Sequence, residues 1–267
     1  MEGQDGLMNL NLKNKNALVC GSTQGIGKAT AMALAAEGVN VTLVARNEDK
    51  LKQVLAELPS TENHNYIVVD FSNPEKLKDK VSSYINENNG FHILVNNTGG
   101  PKGGPVFSAT IEDFENAFTQ HLKCNHILVQ AVVPFMKSEG FGRIINIIST
   151  SVKQPLDGLG VSNTIRGAVA NWSKTLANEL GSFGITVNNV LPGATETERL
   201  SEIIKNKSSK IGVSEEDVAN AMKNNVPAKR FAKPEETANA ITFLASEAAS
   251  YINGINLPVD GGRTKSL

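Results

Sequence analysis

The sequence predicts an α/β protein built on one doubly wound parallel sheet with helices on both faces. Near-continuous apolar runs alternate with helical segments along almost the whole chain, as expected of strands buried on both sides. The chain has 267 residues, room for one large domain or two small ones at about 100–200 residues each. No linker, internal repeat or low-complexity segment divides it, which favours a single domain over residues 1–267 with a polar leader over 1–11. Hydrophobic residues make up 40% and charged residues 20%, as in globular rather than disordered chains. With 26 Lys+Arg against 27 Asp+Glu, no basic surplus favours nucleic acid or an anionic membrane. The apolar runs fall well short of the roughly 20 residues that cross a bilayer. The acidic start Met1-Glu2-Gly3-Gln4-Asp5 does not read as a signal peptide. Cys20 and Cys124 alone supply neither a disulfide framework nor a metal set. The expectation is a cytoplasmic protein without a metal.

Each element follows from local signals. Asn16 to Cys20 reads as a buried strand, followed by a Gly-rich turn and an Ala-rich helix from Ile26 to Glu37, stopped at Gly38. Val39 to Ala45 is a second strand, and Glu48 to Leu58 a helix ended by Pro59. Tyr66 to Val69 is a strand, Pro74 to Asn88 a helix with proline at its start, and Phe91 to Asn96 a strand. After a Gly/Pro-rich loop, Ile111 to Ser138 holds one long helix or two. Gly142 to Ile148 is a strand, Asn163 to Leu180 a helix and Ile185 to Leu191 a strand. Glu235 to Ser246 is a further helix and Ile255 to Val259 a final short strand. The polar stretch from Glu196 to Lys229 has weak periodicity and interrupts the alternation, which makes it a candidate lid.

Gly21-Ser22-Thr23-Gln24-Gly25-Ile26-Gly27 stands directly between the first strand and the first helix. There, glycines let the backbone approach a pyrophosphate, and the helix N-terminus offers free N–H groups and a positive dipole end. The spacing is G-x-x-x-G-x-G rather than the general G-x-G-x-x-G, but its strand–turn–helix context supports a dinucleotide site. An acid at the end of the second strand would hold the ribose of NAD and repel the 2′-phosphate of NADP. This chain has Ala45-Arg46-Asn47 and no acid until Glu48. Arg46 can pair with a 2′-phosphate, so the reading favours NADP(H) over NAD(H).

From about Leu12 to Gly262 the chain resembles the short-chain dehydrogenase/reductase family, near its 3-oxoacyl-carrier-protein reductase branch. That resemblance implies a Rossmann-type fold. It assigns Asp70, with Phe71 after it, to the adenine, and Asn97 and Gly99 of Asn96-Asn97-Thr98-Gly99 to the strand end beside the adenine ribose. It assigns Pro192, Gly193, Thr195 and Thr197 to the nicotinamide side, with Thr197 at the carboxamide. Val259-Asp260-Gly261-Gly262 matches the C-terminal signature. The resemblance also implies a homotetramer or homodimer, with Trp172 near an interface.

The family's catalytic set is Asn, Ser, Tyr and Lys, with the last two in a Tyr-x-x-x-Lys pattern. Ser149 matches the serine. Thirteen residues on, the tyrosine position holds Ser162, and four further the lysine position holds Arg166. Counting 28 residues back from Ser149 reaches His121 at the asparagine position. None of Tyr66, Tyr84 and Tyr251 sits in the required pattern. Serine is far less acidic than a tunable phenol and shorter by a ring. Arg166 keeps the charge and can bind the cofactor ribose, or grip an anionic group of a ligand, but it does not relay protons. His121 and Lys153 are alternative proton donors, against plainer roles in packing and as a solvated loop residue. The expected function is an NADP-dependent oxidoreductase acting on a small-molecule carbonyl or alcohol with a non-standard proton donor. The alternatives are a dinucleotide-binding pseudoenzyme acting as sensor or scaffold and, more remotely, a lyase-type reaction. Loops 99–110, 150–162 and 195–228 shape the pocket, and Phe107, Leu156, Leu159 and Leu200 suggest a partly apolar ligand.

Overall fold

A computed structural model describes residues 9–59 and 63–266, so most of the leader lies outside the described residues. The first half alternates β1 (Asn16–Cys20), α1 (Gly25–Ala36), β2 (Asn40–Ala45), α2 (Glu48–Glu57), β3 (Asn65–Val68), α3 (Pro74–Glu87) and β4 (Ile93–Asn96). The second half holds α4 (Ile111–Phe118), α5 (Cys124–Glu139), β5 (Gly142–Ile147), α6 (Gly160–Leu180) and β6 (Ile185–Pro192). It ends with α7 (Glu198–Ile211), α8 (Glu215–Asn224), α9 (Pro234–Ala245) and β7 (Asn256–Val259). All seven strands pair in parallel in the order β3-β2-β1-β4-β5-β6-β7. The strand order reverses between β1 and β4, and ligands of such sheets bind at the carboxyl ends of the strands there.

Side-chain alternation divides the core between the two faces of the sheet. Ala17 and Val19 of β1 pack with Leu34 of α1 and Ile241 and Leu244 of α9. Leu18 and Cys20 face the other way, with Leu77 of α3, Leu128 and Val132 of α5 and Leu180 of α6. Both cysteines are buried and unbridged. Across β4 to β7 the sheet also carries a polar crossing. Asn96, Asn146, Asn189 and Asn256 stand in register on β4, β5, β6 and β7. Asn96 donates to Asn146 (2.8 Å), Asn146 to Asn189 (3.1 Å) and to Ser173 of α6 (2.8 Å), and Asn189 to Asn256 (2.8 Å).

Of the one long helix or two expected over Ile111–Ser138, the structure has two, joined by a π-helical turn at Thr119–Lys123. A reciprocal cap between Thr110 and Asp113 starts α4, and Gly140 in the left-handed region ends α5. The 196–229 segment is not irregular: it holds α7 and α8, capped by Thr197 and Ser214. Each buries a single hydrophobic side chain, Leu200 or Val218, which explains the faint periodicity. α6 begins at Gly160 rather than Asn163, placing Ser162 in its first turn. No helix among the described residues is long and apolar enough to cross a membrane.

Candidate active site

The glycine turn folds onto itself and onto the end of β4. A Cβ at Gly27 would overlap the Gly21 carbonyl oxygen, and one at Gly21 would lie 2.7 Å from the Asn97 carbonyl. Asn97 Nδ2 donates to that Gly21 oxygen at 3.2 Å, locking turn and strand end together. Gln24 offers α1 no side-chain cap, so the first-turn N–H groups have no intrahelical or capping acceptor and are free for a ligand. The residue roles within the turn differ. Ser22 is buried and its Oγ accepts from Val44 N (3.1 Å), so it ties the turn to β2 rather than facing a ligand. Ile26 packs against the core, Thr23 is half-buried, and exposed Gln24 accepts from Lys50 Nζ at 3.4 Å.

Around the turn, Arg46 is exposed at the end of β2, with Nη1 3.9 Å from Asp70 Oδ2. A hydrogen bond from Ser72 N holds the Asp70 carboxyl below its usual range, leaving an ionised acceptor at the end of β3. Asn47 is occupied structurally: its side chain caps α2 by accepting from Lys50 N at 2.9 Å. Phe71 belongs to the core, and its carbonyl accepts from Cys124 Sγ at 3.2 Å. Gly99 is exposed on the loop after β4, and Pro192 and Gly193 are half-buried after β6. Thr195 is buried, its hydroxyl donating to Gly193 O at 3.2 Å. Thr197 caps α7 and donates to Thr195 O at 3.2 Å. Its methyl group would lie 3.0 Å from a Cβ at Gly25, so the start of α7 stands across the glycine turn.

The catalytic-position residues gather at the end of β5. Ser149 is half-buried just beyond that strand and its Oγ accepts from Ser151 N at 3.1 Å. Arg166 is only 7% exposed, and its Nη1 donates to the carbonyl of Ile147 at 3.1 Å. Burial lowers its pKa to about 10, so it stays charged at neutral pH. His121 lies in the π-helical turn, buried, with Nδ1 2.6 Å from Thr98 Oγ1. Burial, with a further push from the Arg166 cation, lowers His121 to about 2. Ser162 sits one turn before Arg166, half-buried, and no group among the described residues hydrogen-bonds its hydroxyl.

The tyrosines are engaged elsewhere. Tyr66 donates to Glu48 (3.1 Å), Tyr84 bonds Thr42 (3.0 Å) and stacks on Phe91, and Tyr251 is fully exposed before β7. Gly104 and the 158–160 segment exchange hydrogen bonds of 2.7 and 3.0 Å, joining the loop after β4 to the start of α6. Arg199 of α7 donates to Pro101 O at 3.2 Å across the mouth. Phe107 is fully exposed and Leu200 buried, so of the four apolar lining candidates only Leu156 and Leu159 are half-buried. Sequence reasoning missed the Thr98–His121 pair. The signal was present: Thr98 stands where the resembled Asn-Asn-Ala-Gly pattern has alanine.

The family model described as enoyl-(acyl carrier protein) reductase matches residues 21–264. The chain belongs to the short-chain dehydrogenase/reductase family. Among members of this family, it is 30% identical to an NADPH-dependent reductase of Bacillus subtilis, over 96% of this chain and 100% of the relative. A 3-oxoacyl-[acyl-carrier-protein] reductase of Staphylococcus epidermidis is 30% identical over 93% of this chain and 98% of its own length. The crystal structure of L-sorbose reductase from Gluconobacter frateurii, complexed with NADPH and L-sorbose, superposes with a TM-score of 0.91. It shares 33% identity and covers 97% of this chain and 100% of its own. As in other short-chain dehydrogenase/reductases, a glycine-rich turn joins the first strand to the first helix, and here Asn97 ties it to the end of β4.

Proposed function

We propose that this protein is an NADP(H)-dependent reductase interconverting a carbonyl and an alcohol, in which no tyrosine donates the proton. The observation that carries this reading is the glycine cradle. It leaves no room for a Cβ at Gly27, leaves the N-terminus of α1 without a side-chain cap, and is tied by Asn97 to the end of β4. Arg46, exposed and 3.9 Å from Asp70, with no acid following it in sequence until Glu48, favours the 2′-phosphate. The NADPH-dependent relatives agree with that preference. Bound there, the cofactor supplies hydride.

The chain's own residues do the rest. The Ser149 hydroxyl donates to the substrate carbonyl and orients it, while the Arg166 cation offsets negative charge developing on that oxygen. Neither His121, neutral with a pKa near 2, nor Arg166, near 10, has a proton to release readily around neutrality. The oxygen takes its proton from water, passed by the open Ser162 hydroxyl. His121 acts as a positioning residue, its ring held by Thr98.

The same geometry favours a second reading, a dinucleotide-binding protein without turnover, because no side chain here is tuned as an acid. Titration with NADPH and NADH, followed by nicotinamide fluorescence, and then a carbonyl panel separate the two. Tight NADPH binding weakened by Arg46→Ala, with consumption lost in Ser149→Ala, is expected. Binding without consumption of any carbonyl establishes the second reading, and no binding removes both. We also propose self-association through the outer faces of α5 and α6. Half-buried Trp172 there lies beside His126, and sedimentation equilibrium tests the assembly.

A further inference from the structure

We propose that Arg166 is an anion-recognition residue and that the substrate carries a carboxylate within two carbons of its reducible carbonyl, as in a 2-oxo or 3-oxo carboxylate. This rests on the reductase reading above and deepens it.

The argument begins with an uncompensated charge. Arg166 is more than nine-tenths buried, yet among the described residues no carboxylate forms an ion pair with it. Among the described residues its one hydrogen bond uses only Nη1, on the Ile147 carbonyl. Burial is the sole cause of its lowered pKa, with no neighbouring anion to counter it. A guanidinium has five N–H donors in a planar fork, so most of this one is unspent. The His121 ring, which feels the Arg166 cation, is kept neutral and therefore neither repels an anion nor replaces one.

Burying a charge without a partner costs several kcal/mol, and proteins rarely retain one unless something completes it. Ribose hydroxyls of a bound nucleotide can accept from the fork, but they are neutral and leave the charge uncompensated. A carboxylate satisfies both charge and geometry through paired N–H···O bonds. The location limits the spacing. The guanidinium is bonded to the residue two before Ser149, whose hydroxyl addresses the carbonyl. An acid group seated on Arg166 therefore stands close to the reacting carbon. Arg199 of α7, which bonds Pro101 O, does not serve the same purpose, because its Nη1 is already paired with Glu202 at 3.6 Å. In the reaction, the carbonyl carbon gains hydride from NADPH, its oxygen gains one proton from water, and the carboxylate is unchanged. The product is a 2- or 3-hydroxy carboxylate with NADP.

The test uses unreactive stand-ins in which an amide replaces the ketone. Oxamate and malonamate are titrated by calorimetry into the protein–NADPH complex, beside their neutral methyl esters. At least one acid is expected to bind about ten-fold or more tighter than its ester, the advantage of a charge-assisted pair. Arg166→Gln should erase that preference and Arg166→Lys retain part of it, with thermal melts confirming that each variant folds. Equal binding of acid and ester in the native protein for both pairs, or a preference that survives Arg166→Gln, overturns the inference. If NADPH binds normally and neither acid is preferred, this inference fails and the reductase reading stands. If NADPH does not bind, both fall.

Discussion

At the residue scale, the site is unusual for what it keeps out of solvent. His121 is buried beside a cation and holds its neutral form down to about pH 2. The linkage sign follows directly. The unfolded chain protonates this histidine near its ordinary pKa of about 6.5, while the folded chain does not. Stability from His121 is therefore complete above that value and falls as pH drops below it, by about 2 kcal/mol between pH 6.5 and 5. Thermal melts at pH 8 and pH 5 should show a larger loss for the native protein than for His121→Gln. His92 is also pushed down, chiefly by burial, but both proteins carry it and the difference isolates His121. Equal losses would show that His121 is protonated in the fold. Arg166 makes the complementary case. Replacing its unpaired buried charge by an apolar chain of similar length removes a desolvation cost larger than its one hydrogen bond. Arg166→Met should melt several degrees higher than the native protein without ligand while binding NADPH more weakly. A lower melting temperature would mean that the guanidinium is already compensated.

At the element scale, the glycine turn is the least forgiving segment. In Gly27→Ala the new methyl group meets the Gly21 carbonyl, a backbone atom that cannot swing aside. The turn must open and separate from Asn97, so NADPH binding should weaken at least about a hundred-fold while the core strands remain folded by circular dichroism. Undiminished binding would place the nucleotide elsewhere. This turn was legible in the sequence because glycine spacing encodes backbone closeness directly. The strands were legible for a related reason: a parallel strand covered on both faces, such as β1 with Ala17-Leu18-Val19-Cys20, leaves an unbroken apolar run. The π-helical turn at Thr119–Lys123 was not legible. One extra residue inside a helix barely disturbs the apolar period, yet it sets which way His121 points. α7 and α8 were missed because each anchors through one buried hydrophobic side chain, although Thr197 and Ser214 carried cap signals. Among the site residues, sequence pattern marked Ser22, Asn47 and Phe71 by position. It had no means of showing that their side chains are spent on β2, α2 and the core.

At the scale of the whole molecule, the asparagine crossing links the four strands β4 through β7, of which β4, β5 and β6 lead on to Thr98, Ser149 and Gly193. Ser173 brings α6, and so Arg166, into the same network. Apolar side chains there would pack as well, but they would not fix the relative heights of four strands as directional amide bonds do. The crossing is uneven, which makes it testable. Asn146 is central: it accepts from Asn96 and donates to Ser173 and Asn189. The Asn96 oxygen already lacks a partner, so Asn146→Ala would leave that buried amide with none of its polar groups paired. An unsatisfied buried group costs about 1–3 kcal/mol and the vacated space adds to it, so a total near 3–5 kcal/mol is expected. Asn256, half-buried on the edge strand, only accepts from Asn189 in this network. Its loss should cost about 1 kcal/mol, near the worth of one hydrogen bond. Denaturant melts of the two variants should therefore differ by about 2 kcal/mol or more. The central change should also slow turnover, because Ser149 and Arg166 depend on the strands it holds. Similar stabilities for the two variants would show that each amide pair acts alone and that the crossing does not set the geometry of the site.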